Sequence, residues 1–251
     1  MFNKFILNRF INAFIRYLFQ IIPFMSNIIL LHGAIGSKKE MEAIENELTK
    51  QNHSVFNLNF PGHGSEAESD QLFSIEYFAE SVRKTIDALD EVYIIGYSLG
   101  GYVALCLCEW YPEKIKGVAT FGTIFNWSPE QSDKQIAQIQ PEKLKEKVPA
   151  FADYLQNIHS DKWEKVLTNT HNLLKALGQN PLLNEERLTS IHQKVLITQG
   201  DKDALVDLEA SIMVYRKLKN ANFCVYPKTG HPILKLNTIR FVEDFNTMIL
   251  K

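Results

Sequence analysis

The run Val92-Tyr93-Ile94-Ile95 leads directly into Gly96-Tyr97-Ser98-Leu99-Gly100-Gly101, and an apolar pattern resumes from Tyr102 to Trp110. A short apolar run of this kind reads as a buried strand, and the longer one after the glycines as a buried helix. Glycines on both sides of a serine permit a sharp strand-to-helix turn with close backbone approach, and the serine projects outward. A serine held there sits at a helix N-terminus, where unpaired N–H groups and the positive dipole end favour a developing oxyanion. Five letters alone do not distinguish this from an ordinary strand-to-helix turn with a bystander serine. The flanking strand and helix, and the rest of the chain, decide between them.

The same alternation runs through most of the 251 residues. Asn27–Leu31 is expected as a strand, followed by His32-Gly33-Ala34-Ile35-Gly36 and a helix capped by Ser37 that continues to about Gln51. Val55–Asn59 is a second strand, ending in the loop Phe60-Pro61-Gly62-His63-Gly64-Ser65. Ser74 to Leu89 is helical, with Ile75, Phe78, Val82 and Ile86 on one face. Lys116–Phe121 is a fourth strand. From Gly122 to about Gln193 the strand signals stop. Leu144, Val148, Phe151 and Leu155 keep near-helical spacing with a fresh start at Pro149. Ser160 is expected to cap a further helix, which Gly178 and Pro181 end. The rhythm resumes with Lys194–Gln199 (strand), Leu205–Lys219 (helix), Asn222–Tyr226 (strand) and Ile233–Leu250 (helix). Strands that are apolar throughout and alternate with helices imply an α/β fold, with a mainly parallel six-stranded sheet covered on both faces. Residues 25–122 and 194–251 form its core, and residues 123–193 are a helical insertion.

Composition excludes several functions. A net charge of −2 leaves no electrostatic footprint for nucleic acid. Cys106, Cys108 and Cys224 lie in apolar segments without metal-ligand spacing, which suits buried reduced thiols and a cytoplasmic location. No metal or organic cofactor is implied. Residues 1–24 differ from the rest: Lys4, Arg9 and Arg16 are their only charges, whereas the remainder holds 24 basic and 29 acidic residues. Lys4, Asn8, Asn12, Arg16 and Gln20 recur every fourth position in an otherwise apolar stretch. This matches an amphipathic helix able to associate weakly with a membrane surface. Met25-Ser26-Asn27 would equally serve as the start of the chain, so the expectation for this extension is that it is either absent from the working protein or dispensable to the fold.

The chain from Met25 onward resembles the α/β-hydrolase family. The resemblance rests on His32-Gly33, Pro61-Gly62-His63-Gly64, Gly96-Tyr97-Ser98-Leu99-Gly100-Gly101, Gly200-Asp201-Lys202-Asp203 and Gly230-His231-Pro232. Each motif follows a strand, at the edge where open α/β sheets bind ligands. The family's chain order of nucleophile, acid and histidine is met by Ser98, Asp203 and His231. In that chemistry an imidazole takes the serine's proton, and a buried carboxylate fixes the imidazole's tautomer. The family's spacing selects Asp203 over Asp201. His53, His159, His171 and His192 read as surface or packing residues, and His32 and His63 as loop residues beside the site.

The resemblance also implies an oxyanion hole made by the backbone N–H groups of Ala34 and Leu99, with Ile35 the alternative if the loop is shifted. It makes residues 123–193 a cap over the pocket. Expected pocket residues are His32, Ile35, Tyr97, Phe125, Trp127 and Trp163, with Phe151 and Tyr154 nearby, although aromatics at helical spacing also build a cap's own core. Asn59 stands where the family often carries an acid. The implied activity is hydrolysis of a small carboxylic ester or thioester through an acyl-enzyme, the partner being a small-molecule acyl substrate. The same triad motif also resembles that of carbon–carbon hydrolases and a menaquinone-pathway synthase. A receptor of this fold with little turnover is the reading from outside enzymology.

Overall fold

The computed structural model describes residues 25–66 and 69–251. The amphipathic pattern of residues 1–24, with the membrane contact it suggests, lies outside the described residues. Within them, six strands form one sheet: β1 (Asn27–Leu31), β2 (Ser54–Leu58), β3 (Val92–Tyr97), β4 (Ile115–Phe121), β5 (Lys194–Gly200) and β6 (Ala221–Tyr226). Their order is β2-β1-β3-β4-β5-β6, and every neighbouring pair is parallel. The central strands are apolar in both directions because each face is covered. Ile29, Ile94 and Val118 pack into one hydrophobic layer, and Ile28, Leu30, Ile95 and Ala119 into the other.

The chain runs outward from β1 to β2 and then returns to place β3 on the other side of β1. The direction of winding therefore reverses between β1 and β3, the crevice where an open α/β sheet leaves room for a ligand. His32-Gly33 emerges there from β1 and Ser98 from β3.

Local chemistry sets the helix starts. Ser37 caps a 3₁₀ turn (Lys38–Met41) that leads into α1 (Glu42–Lys50), and Ser74 accepts the Tyr77 N–H at 3.1 Å to start α2 (Ile75–Asp87). Helix α3 (Leu99–Trp110) has no polar stripe, and Leu99 through Cys108 are all buried. A helix apolar all round belongs inside, and this one lies beneath the sheet's centre. Cys106 and Cys108 are buried within it, and all the cysteines are free thiols.

Between β4 and β5 come α4 (Pro129–Ile136), α5 (Pro141–Lys147), α6 (Pro149–His159), α7 (Trp163–Gln179) and α8 (Glu185–Ser190), with no strand among them. Proline opens α4, α5 and α6, where its missing N–H costs nothing. One expectation fails here. Ser160 does not cap α7: it ends α6 in a left-handed conformation (φ 56°), and its side chain makes no capping bond. Helix α7 ends at Gln179, between the stop signals Gly178 and Pro181, and Gly178 lies in its last turn, where a Cβ would come within 2.5 Å of the Ser132 Cβ. That glycine marks the close approach of α7 to α4.

The helix expected from Leu205 begins later, as α9 (Leu208–Lys217), because the Leu205 and Val206 N–H groups are taken by the Asp203 carboxylate. The one expected from Ile233 starts as a 3₁₀ turn (Ile233–Lys235) before α10 (Thr238–Phe245). Among the described residues, no helix is long and apolar enough to cross a membrane.

Candidate active site

Ser98 occupies a strained backbone position, φ 52° and ψ −117°, which a side-chain-bearing residue adopts only when its surroundings impose it. Those surroundings are explicit. Its N–H donates to the Phe121 carbonyl at 2.8 Å, and its own carbonyl accepts from Thr123 Oγ1 at 3.0 Å. Glycine is required on either side by close approach. A Cβ on Gly96 would fall 2.5 Å from the Gly100 backbone, and one on Gly100 would fall 2.4 Å from the Leu31 carbonyl oxygen. Ser37, Ser74 and Ser128 spend their hydroxyls capping helices, whereas the Ser98 hydroxyl makes no such bond at the head of α3. It remains available at a partly exposed position.

The acid and the histidine come from the ends of β5 and β6. His231 Nδ1 lies 2.9 Å from Asp203 Oδ2. The other carboxylate oxygen of Asp203 accepts the N–H groups of Leu205 (2.9 Å) and Val206 (3.1 Å). With both oxygens engaged, the carboxylate is fixed, holds the proton of His231 on Nδ1 and leaves Nε2 free as an acceptor. Asp201 is separate: it accepts the Thr229 N–H at 3.2 Å and pairs with Lys202. Gly122, at φ +61°, passes so close that a Cβ there would lie 3.2 Å from Asp203 Oδ2 and 3.3 Å from His231 Nδ1.

Ser98 and His231 open onto a single cavity of about 680 Å³. Its floor includes Gly33, Ala34, Tyr97 and Leu99, and the insertion supplies Trp127, Ile139, Phe151, Tyr154 and Leu174. As the first residue of α3, Leu99 has no intrahelical acceptor for its N–H, and the Ala34 N–H has no acceptor among the described residues. Burial pushes the Tyr97 phenol well above its ordinary value, keeping it neutral beside the His231 ring, whose centroid is 5.4 Å away.

Of the expected pocket residues, Ile35, Tyr97 and Trp127 line the cavity, as do Phe151 and Tyr154. Three do not. Phe125 packs into the main hydrophobic layer. Trp163 packs with Leu144, Leu155 and Leu167 in a small core of the insertion's own. His32 is buried behind the wall, bonded to Gly33 O and the Phe60 N–H. In each case a large or polar ring found better partners inside the protein than at a cavity surface. Glu40, Gln135, Gln138, Thr170 and Lys202 line the cavity without having been expected there. The Glu40 carboxyl is enclosed against Gly36, and burial pushes it up to about 7. An acid in the first turn after the Gly33–Gly36 loop was the only signal for it. Asn59, replacing the expected acid, accepts the Lys38 N–H at 2.8 Å.

Residues 25–236 match the family described as serine aminopeptidase, S33. The chain belongs to that family, within the α/β hydrolases. Relatives in the same range include a pimeloyl-[acyl-carrier protein] methyl ester esterase of Neisseria meningitidis serogroup A, 26% identical over 82% of this chain and 71% of that protein. A proline iminopeptidase of Lactobacillus delbrueckii subsp. bulgaricus is 26% identical over 81% of this chain and 83% of its own. Among solved structures, the 2-hydroxy-6-oxo-6-phenylhexa-2,4-dienoate hydrolase of a Rhodococcus strain superposes with a TM-score of 0.76 at 18% identity, covering 90% of this chain and 91% of that one. At that identity the structural likeness speaks for the fold. Hydrolysis is the activity that these relatives' names share, so the chain is a hydrolase of this superfamily.

Proposed function

We propose that the protein is a serine hydrolase acting on a small carboxylic ester or thioester through an acyl-enzyme. The observation that carries this reading is the fixed His231–Asp203 pair on the cavity that also holds a strained, uncapped Ser98. His231 Nε2 takes the proton of Ser98 Oγ as that oxygen attacks the acyl carbon. The backbone N–H groups of Ala34 and Leu99 receive the charge on the carbonyl oxygen, at the positive end of α3. His231 then protonates the leaving alkoxide or thiolate. Water, deprotonated by the same nitrogen, releases the acid and restores Ser98.

The cavity's size and mostly apolar wall suit an acyl group of modest length. Residues 123–193 act in this reading as the cap that encloses it. The test is turnover of short p-nitrophenyl esters and acyl thioesters, with fluorophosphonate labelling located by peptide mass spectrometry. Labelling at Ser98 and loss of turnover in Ser98→Ala are expected. A protein that neither turns over any ester nor takes the label would overturn the reading. The family description and the iminopeptidase relative favour amide cleavage as the second reading. Proline p-nitroanilide in the same panel separates the two.

A further inference from the structure

Three consecutive carbonyl groups of the loop after β1 each meet an imidazole from a different part of the chain. His32 Nδ1 lies 2.7 Å from Gly33 O, His63 Nε2 lies 2.9 Å from Ala34 O, and His159 Nε2 lies 2.9 Å from Ile35 O. Thr170 Oγ1 adds a second donor to Ala34 O at 3.3 Å. Two of the tautomers follow from the rings' other nitrogens. His32 Nε2 accepts the Phe60 N–H, so its proton is on Nδ1 and is given to Gly33 O. His159 Nδ1 accepts the Gly64 N–H at 2.9 Å, so its proton is on Nε2 and is given to Ile35 O. His32, His63, His159 and Thr170 are all buried.

A trans peptide is planar, with its C=O and N–H pointing in opposite directions. Holding the Gly33 carbonyl therefore aims the Ala34 N–H, holding the Ala34 carbonyl aims the Ile35 N–H, and holding the Ile35 carbonyl aims the Gly36 N–H, which itself donates to Gly33 O at 3.2 Å. The imidazoles lie behind the cavity wall, whereas Ala34 and Ile35 form part of it. The donors come from both parts of the molecule. His32 and His63 belong to the sheet's loops, but His159 ends α6 and Thr170 lies midway along α7. Phe151 and Tyr154 of α6, with Thr170 and Leu174 of α7, also face the cavity.

We propose that His159 and Thr170 are positioning residues, through which the helices roofing the cavity fix the direction of the oxyanion-loop N–H groups. This rests on the oxyanion reading of the loop: His159 reaches the Ala34 N–H through Gly36 and the Gly33 carbonyl, and Thr170 aims the neighbouring Ile35 N–H and sets the backbone on the far side of Ala34. The insertion then does more than enclose substrate: the elements touching the acyl group also hold the loop that stabilises its charge. Loosening either bond should affect the step in which charge develops and leave ground-state binding alone.

Steady-state kinetics on a p-nitrophenyl ester tests this with Thr170→Val and His159→Leu, which remove the donors. The conservative partners are Thr170→Ser and His159→Gln, which retain one. For the first two, kcat is expected to fall about 10- to 100-fold with KM within about twofold. The conservative pair should recover most of the loss. A raised KM with unchanged kcat would make these side chains pocket wall and overturn the proposal, as would kcat within twofold of wild type for Thr170→Val. Thr170→Val, being nearly isosteric, carries the test if His159→Leu does not fold. If the wild type proves inactive and unlabelled, the hydrolase reading fails by itself. Amide hydrogen exchange then reads the clamp directly: residues 33–36 should exchange about tenfold faster in Thr170→Val. Unchanged exchange there would sink it independently of catalysis.

Discussion

His231 Nδ1 stands 2.9 Å from Asp203 Oδ2, and the Asp203 side chain has no exposed surface. Exchanging Asp203 for Asn leaves the shape but removes the charge that stabilises a protonated His231, and it permits the wrong tautomer. In a triad this costs about 10³- to 10⁴-fold in kcat. The partly exposed Asp201 carboxylate bonds the Thr229 N–H and Lys202, away from His231, so Asp201→Asn should stay within about threefold of wild type. Parallel kcat/KM measurements decide between the two. Equal losses would remove Asp203 from its assigned role.

Gly122→Ala probes the same pair from behind. Its backbone, at φ +61°, disfavours any side chain, and the added methyl would press on Asp203 Oδ2 and His231 Nδ1. The conformational cost is about 1 kcal/mol. The displaced imidazole should lower kcat by about tenfold or more. Urea denaturation and ester turnover separate the two effects. Full activity in this variant would show that the pair tolerates displacement.

Ser98 offers a trade of activity against stability. Its φ of 52° is strained for serine and natural for glycine. Ser98→Gly should therefore abolish turnover while raising stability by about 1 kcal/mol. Ser98→Ala, which keeps the strain, should abolish turnover without that gain. Thermal or urea unfolding of both variants checks this, and a Ser98→Gly protein no more stable than Ser98→Ala would remove the strain argument.

Much of this arrangement was legible in the sequence because the local signals and the tertiary demands agree. Val92–Ile95 is apolar throughout because both faces of β3 are covered, and Gly96 and Gly100 are glycines because backbone passes within contact of them. His231, which the structure pairs with Asp203 on the cavity, was singled out by its place after the last strand. His159 was not, since its partners Gly64 and Ile35 lie 95 and 124 residues away and no local pattern encodes such pairings. Trp163 and Phe125 show the same limit: helical spacing says that a ring is buried, but not whether a cavity or a core receives it. Ser160 failed differently. Serine is a good capping residue, yet here it ends α6 at positive φ with its own N–H bonded back to the Gln156 carbonyl, a C-terminal role that residue type does not announce.

Two buried groups around the loop after β1 give stability opposite pH dependences. Burial pushes His63 down from 6.5 to about 4. Between those values the unfolded chain binds a proton that the folded one refuses, so stability is full above pH 6.5 and falls as the pH drops. The slope is about 1.4 kcal/mol per pH unit, or about 2 kcal/mol lost by pH 5. Glu40 is pushed up from 4.5 to about 7, again chiefly by burial. The folded protein keeps that proton after the unfolded chain has released it, so this contribution is full below pH 4.5 and disappears as the pH rises through 7. The two slopes oppose each other between pH 4.5 and 6.5. Glu40→Gln should therefore be more stable than wild type at pH 8, by roughly 1–3 kcal/mol, while losing more than wild type on acidification. His63→Asn should show a shallower acid limb. Urea midpoints at pH 5, 6, 7 and 8 resolve both effects. Curves for Glu40→Gln that run parallel to wild type throughout would mean that the Glu40 carboxyl titrates as freely in the folded protein as in the unfolded chain.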